Sequence, residues 1–314
     1  MRRYVGKRLL QLIPILIGIT LLSFGLMHLA SMDAVDVRYE KQGTVVSEEV
    51  KAQIREELNL DKPFLVQYGL WLKGVVTGDM GVSYISGKPV FETFITKLPA
   101  TIALTLTSIL LTIVVSIPLG ILAAVKQNRP LDYLIRFGSF IGNSLPNFFV
   151  SLLLIYFLAL KLGVFPVISG GGWNSIVLPT LTLSIAMSAK YIRQVRATVL
   201  EELSKDYVTG ARSRGVRERV ILYKNVLRSS LFTIVTLLAL SIGSLLGGTA
   251  IVESIFMWDG VGKMAVDAIT MRDYPIIQTY VIWMAVIYVL VNLITDIVYC
   301  FLDPRIRLEQ GEGI

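Results

Sequence analysis

The sequence has one cysteine and one histidine in 314 residues. A single cysteine excludes any disulfide within the chain, and Cys300, inside an apolar run, reads as a small buried hydrophobe. A single histidine, His28, excludes a multi-histidine metal site; at the end of an apolar segment it reads as an interfacial or packed residue. Patterns of the H-E-x-x-H, paired-cysteine and G-x-S-x-G kinds are missing as well. The G-V-G-K at 260–263 is no phosphate loop, because Met257 and Met264 stand where that motif needs its first glycine and its hydroxyl. No catalytic residue, metal site or cofactor is expected, so the chain carries no engine of its own.

Charge is scarce too, at 17% of residues, while 54% are hydrophobic and the mean hydropathy is +0.66. A soluble domain of this length is far less apolar, which points to the bilayer. A hydrocarbon layer about 30 Å thick takes roughly 20 apolar residues as helix, since unpaired backbone groups are not tolerated there. Six stretches meet or approach that length: Leu9–Ala30, Ala100–Val125, Phe137–Leu160, Ser175–Ala189, Ser229–Val252 and Tyr274–Thr295, the last continuing past Asp296 to Leu302. The fourth is short and is expected to run on through Lys190, Arg193 and Arg196 with snorkelling stems. The first is read as an uncleaved span rather than a secretory signal, its apolar run being too long for one. With the N-terminus in the cytoplasm, the short cytoplasmic segments hold 19 Lys and Arg against 3 in the short outer loops. That excess places both termini inside.

The chain divides on this reading into 1–30 (N-terminus and first span), 31–99 (an extracytoplasmic loop domain), 100–302 (a five-helix core) and a tail, 303–314. In the outer segment, SEEVKAQIREELNL predicts a helix with Ser47 as N-cap and acids in its first turn. An aromatic apolar stretch, FLVQYGLWLKGVV, and the glycine-punctuated GDMGVSY follow. In ESIFMWDGVGKMAVDAITMRDYPIIQ, Gly260 and Gly262 suggest a turn, and Phe256 and Trp258 suit the headgroup level. Polar residues inside the spans are few. Asn143, Ser144 and Asn147 flank Pro146, which suits either a proline kink with locally satisfied carbonyls or a polar patch lining a passage. Gly243, Gly247 and Gly248 permit close helix packing or line a pore. Asp296, with Asn292 and Thr295, suggests an interhelical hydrogen bond rather than a proton relay.

Residues 205–228 carry seven Lys or Arg against two acids. Buried in lipid, those seven would cost about 20 kcal/mol, so the segment is in water. It lacks the spaced aromatics of a nucleic-acid surface, and three charges at 190, 193 and 196 are too few for a voltage sensor. Val199, Leu200, Leu203, Tyr207, Val208 and Ala211 form an apolar face at helical spacing; Gly215 interrupts; Val220, Ile221, Leu222, Val226 and Leu227 resume it. Helix, glycine turn, helix describes a rigid protrusion between two spans, suited to passing force from a soluble partner.

That segment resembles the cytoplasmic EAA loop of bacterial ABC-importer permeases, in the variant of the peptide/nickel permease family. Asp206, Tyr207, Ala211, Arg212, Gly215, Leu227 and Arg228 fit its D-Y-x-x-x-A-R-x-x-G and x-L-R pattern, while Thr209, Gly210, Asn225 and Arg228 depart from the general E-A-A form. RRYVGKRLLQLIPILIGITLLSF, LDKPFLVQYGLWLKGVVTGDMGVSY, IPLGILAAVKQNRPLD, IVESIFMWDGVGKMAVDAITMRDYPIIQ and LDPRIR resemble the B-type subunit of these importers along nearly the whole chain. The resemblance implies an all-α integral membrane protein with six transmembrane helices, the type I ABC importer architecture, and a coupling loop at 197–228. It also implies a second, C-type permease, two ATPase subunits below the pair, with the loop docking into a groove of the ATPase subunit, an extracytoplasmic binding protein, and no nucleic acid among the partners. Tyr207, Ala211 and Gly215 are expected to shape the knob, and Arg212 and Arg214 to pair with acids of the ATPase. A bulky residue at Gly215 is expected to uncouple ATP hydrolysis from uptake. The implied cargo is a dipeptide, oligopeptide, nickel or metal chelate. A self-contained secondary transporter is the rival, though the spans offer almost none of the titratable groups it needs.

Overall fold

The computed structural model describes residues 2–28, 35–36, 39, 47–57, 59–168, 170, 172–230, 234, 243, 245 and 249–302. Apart from one isolated bridge, Val82 to Pro89, the regular structure among them is helical. The chain falls into two compact units, residues 1–101 with 259–290 and residues 102–258 with 291–314.

In the first unit, α1 (Arg2–His28) packs on α3 (Phe64–Thr77) through aromatic edges: Phe24 meets Phe64, Tyr68 and Trp71, and His28 meets Phe64. Thr20 Oγ1 and the Tyr68 hydroxyl share a hydrogen bond of 3.0 Å, so a polar pair inside an apolar interface is satisfied. The acidic helix α2 (Glu48–Glu57) starts directly after Ser47, as its capping signal predicts, and the Ser47 carbonyl accepts the Lys51 N–H at 3.2 Å. α3 ends on Gly78 at φ +87°, a left-handed cap that glycine adopts without strain. The first turns of α4 (Val90–Val125) place Phe94 in a core with Val261 and Met264 of α10 (Val261–Met271) and Trp283 of α11 (Tyr274–Leu302). Asp273, between α10 and α11, is buried; it accepts the Ser83 hydroxyl and the Tyr84 N–H, and burial raises its carboxyl above the usual range. The turn expected at 260–262 is only half realised: Gly260 precedes α10, whereas Gly262 is buried inside it.

The second unit contains the rest of α4, α5 (Pro130–Ser144), α6 (Asn147–Leu154) with a π-helical end Ile155–Lys161, and α7 (Val177–Leu203). α4 and α7 approach closely at Gly120, where a Cβ would come within 2.6 Å of Val195. Ser184 Oγ bonds the Ser108 carbonyl at 3.1 Å, and Thr107 meets Thr180 at 2.9 Å, closing polar gaps along the same seam. Leu104, Leu178, Leu183, Val252 and Phe256 form one core cluster. Phe256 is therefore not an interfacial anchor; at 1% exposure its ring fills protein core, and Trp258 is half-buried against it.

Among the described residues, Val90–Val125, Trp173–Leu203 and Tyr274–Thr295 are long and apolar enough to cross a bilayer. The expected third span is broken: Pro130–Ser144 and Asn147–Lys161 meet at 103°. Pro146 removes an N–H and pushes Leu145 to extended backbone (ψ 127°), which is a break rather than a gentle kink. The first expected span gives the shorter apolar stretch Ile13–Leu26, while most of the fifth, including Gly247 and Gly248, and the tail 303–314 lie outside the described residues.

Candidate functional site

α7 stops at Leu203, and Lys205, in extended conformation, leads into α8 (Asp206–Ser213). Asp206 occupies the first turn of α8, where a carboxylate suits the positive end of a helix. The inward face of α8 is Val208 and Ala211, both buried against Tyr191, Val195 and Val199 of α7 and Ala124 at the end of α4. The apolar face expected from 199 to 211 thus exists, but across two helices rather than one. Tyr207 lies at its edge, more than a third exposed, and donates to Glu202 Oε2 at 2.9 Å. Partial burial, then Glu202, raises its phenol above the usual value.

Gly215 closes α8 at φ +74°; its N–H bonds the Arg212 carbonyl at 2.9 Å, and the Val216 N–H bonds the Ala211 carbonyl at 3.1 Å. The chain then resumes as α9 (Glu218–Val220) and a π-helical stretch, Ile221–Val226, whose Ile221 and Val226 return to the core that holds Val208 and Ala211. Across the turn Arg212 grips Glu218, Nε to Oε1 at 2.7 Å and Nη2 to Oε2 at 3.3 Å. This hydrogen bond lowers the Glu218 carboxyl and raises the guanidinium. Arg212, a residue expected to pair with acids of the ATPase, thus also has an acid partner in its own chain. Arg214 Nε donates to the Gly210 carbonyl at 3.2 Å. Leu227 is half-buried and Arg228 exposed on the helix that follows.

Of the other candidates, Asn143 and Ser144 are exposed at the end of α5 and Asn147 is half-buried at the start of α6, so the three surround the 103° corner. The Ser144 hydroxyl bonds the Phe140 carbonyl at 2.8 Å, one turn back in α5. Gly243 is helical and buried; Gly247 lies outside the described residues.

A family described as "Binding-protein-dependent transport system inner membrane component" matches residues 116–308, and its N-terminal companion matches 1–105. The chain belongs to this family. It is the permease subunit of an ABC importer, an inner-membrane, multi-pass component; ATP hydrolysis lies in separate subunits. It is 39% identical to the oligopeptide transport system permease protein AppB of Bacillus subtilis, over 98% of this permease and all of that protein. It is 35% identical to the dipeptide permease protein DppB of Alkalihalophilus pseudofirmus and 36% to the glutathione permease protein GsiC of Escherichia coli K12, each over 98% of this chain and all of the other. Among solved structures, a chain of the inward-facing MetNI methionine ABC transporter superposes with a TM-score of 0.57 at 18% identity, covering 69% of this permease and 99% of that chain. That likeness is one of fold.

One pairing in the permease escaped the sequence reading. Arg196, expected to snorkel, instead forms a forked pair with the wholly buried Asp132, Nε to Oδ1 at 2.7 Å and Nη2 to Oδ2 at 2.8 Å. Asp132 Oδ2 also accepts the Asn128 N–H at 3.0 Å, which fixes the tight turn before α5. The available signal was a lone acid in the basic segment 126–136.

Proposed function

We propose that this permease is the B-type half of a two-permease pathway for short peptides. Two ATPase subunits sit below it in the cytoplasm, a groove of the ATPase taking the segment 197–228, and an extracytoplasmic binding protein delivers cargo to the opposite face. Short peptides are favoured over nickel chelates because the relatives named above transport oligopeptides, dipeptides and glutathione. Cytoplasmic termini are supported by the 19-to-3 excess of Lys and Arg in the short loops, and the same count puts residues 31–99 outside. Asp206, Tyr207, Arg212, Arg214, Leu227 and Arg228 are the proposed contact surface, with Ala211 and Gly215 shaping it.

The observation that carries this reading is the packing of the knob. Val208, Ala211, Ile221 and Val226 share one buried core with Val195 and Val199 of α7. A push on the exposed face of α8 is therefore delivered to α7 rather than absorbed by a loose loop.

The test uses the permease assembled with its partner subunits in sealed vesicles. Uptake of a labelled tripeptide should require ATP and the ATPases, and a membrane-impermeant amine reagent should reach Lys205 and Lys224 only from the cytoplasmic side. Uptake by the purified chain alone, or labelling of either lysine from outside intact cells, refutes the assignment.

A further inference from the structure

A groove of about 350 Å³ runs between α4, α5 and α7, wholly within the second unit. Leu111, Leu119, Ile135, Leu181, Ile185 and Ile192 are among its walls, and no charged side chain lines it. Two of its hydroxyls are already occupied, Ser139 Oγ donating to the Ile135 carbonyl at 2.8 Å and Ser184 Oγ to the Ser108 carbonyl at 3.1 Å. Its wall on α5 holds two glycines of different kinds. A Cβ at Gly142 would press on Ala189 at 3.1 Å, so that glycine lets α5 and α7 close. A Cβ at Gly138 would meet no atom within 4 Å. Glycine inside a helix is less stable than a larger residue, and packing against the described residues gives no reason for one at 138. Space kept clear in the wall of an apolar groove is space for something from outside the chain.

Size selects the occupant. From Leu181 to Ile192 the groove follows α7 for about 17 Å at 1.5 Å per residue, so about 350 Å³ over that length leaves a mean cross-section of about 20 Å². A helix roughly 10 Å wide needs about 80 Å² and does not fit. A single hydrocarbon chain does, and about 17 Å is close to one leaflet of a hydrocarbon layer about 30 Å thick. Charge selects the headgroup. Lys126 follows Leu119 by two helical turns on the same face of α4, and its N–H still bonds the Leu122 carbonyl at 3.0 Å. It therefore stands beyond the Ile192 end of the groove, since Gly120 already lies beside Val195. Arg129 caps the start of α5 in the same connection. Asp132, the one acid between 126 and 136, is held by Arg196, so among the described residues Lys126 and Arg129 have no carboxylate partner. Basic residues at one end of an apolar pocket between spans suit an anionic lipid headgroup.

We propose that this groove binds one anionic phospholipid of the cytoplasmic leaflet, an acyl chain lying against Gly138 and the phosphate meeting Lys126 and Arg129. The leaflet follows from the orientation proposed above; the cargo plays no part. The bound chain touches α4, α5 and α7 together, which makes the lipid part of the support on which the knob rests.

Native mass spectrometry of the purified full chain, titrated in detergent with phosphatidylglycerol or phosphatidylcholine of identical acyl chains, tests it. The first equivalent of phosphatidylglycerol should bind at least about tenfold more tightly than phosphatidylcholine, the scale of two basic contacts. Joint replacement Lys126→Ala and Arg129→Ala should cut that preference to about twofold or less. Gly138→Leu should fill the groove and weaken both lipids by about tenfold, while melting at or above the parent temperature in lipid-free detergent, which separates a filled groove from a lost fold. Equal binding of the two lipids by the parent, an unchanged preference in the double variant, or undiminished binding to Gly138→Leu overturns the proposal. So does a cysteine cross-link from Gly138→Cys to the second permease of the assembled transporter, because a neighbouring helix then fills the groove. The readout needs neither ATP nor cargo: its failure sinks the lipid site alone, and labelling of Lys205 from outside intact cells sinks the orientation and, here, only the choice of leaflet.

Discussion

Removing the Asp132 carboxylate should unseat α5 from α7. Asp132 is wholly buried and accepts three hydrogen bonds, two from Arg196 and one from the Asn128 N–H, while the Arg196 side chain keeps 17% of its surface exposed. Asp132→Ala strands a nearly buried guanidinium, which costs about 3–5 kcal/mol, and frees the Asn128 N–H, worth about 1 kcal/mol more. Against a total stability of roughly 5–15 kcal/mol that is a severe loss. Asp132→Asn should be almost as costly: the amide keeps one acceptor but turns its NH2 toward Arg196 or the Asn128 N–H, both donors. The double replacement Asp132→Leu with Arg196→Met removes both charges together and should recover most of the loss, because the desolvation penalty vanishes with the pair. The assay is a double-mutant cycle on denaturant unfolding in nanodiscs, with a coupling of about 2 kcal/mol or more expected. A coupling below about 0.5 kcal/mol means that the two side chains act independently, and the reasoning fails.

Gly120→Ala should destabilise by about 1–3 kcal/mol, because its Cβ would sit 2.6 Å from Val195 and 3.0 Å from the Ile192 carbonyl. Adding Val195→Ala should relieve part of this in thermal melts, and an unperturbed single variant contradicts the close approach. For Glu218 the sign is that of a depressed carboxylate: the Arg212 pair stabilises the turn above the ordinary glutamate value of 4.5, and the contribution fades as pH falls through the lowered one. Both side chains are about half in solvent, so the effect is within about 1 kcal/mol. Hydrogen exchange of amides 206–226 should therefore lose protection at low pH, and Glu218→Gln should remove that acid-dependent step.

Local patterns were legible in the sequence where a single element decided them. The acidic helix after Ser47, the apolar face of Val199, Val208 and Ala211, and the turn at Gly215 each follow from spacing within about a dozen residues. Long-range pairings were not. Nothing local joins Asp132 to Arg196, 64 positions apart, or tells that Phe256 faces core rather than lipid, since both environments accept an aromatic ring. The corner at Pro146 was visible as a proline but not as a 103° bend, because a proline inside a span is compatible with a mild kink as well as a break.

The same core decides what Gly215 is for. A glycine between two helices suggests a flexible joint, but both arms of this turn, Val208 and Ala211 before it and Ile221 and Val226 after it, are buried in one cluster with α7. A joint whose two sides are packed on the same support has nothing to swing, so the glycine supplies shape. Bulk is not the obstacle either, since a Cβ at 215 meets no atom within 4 Å. The requirement is φ +74° alone, a left-handed backbone that costs a branched residue roughly 1–2 kcal/mol and asparagine much less. Gly215→Val should therefore displace the exposed face of α8 and lower ATP-driven uptake by the assembled transporter, with membrane insertion intact. Gly215→Asn, although bulkier than glycine, should keep most uptake. Equal failure of both variants would make size or mobility the requirement, and the turn would have to be a hinge after all.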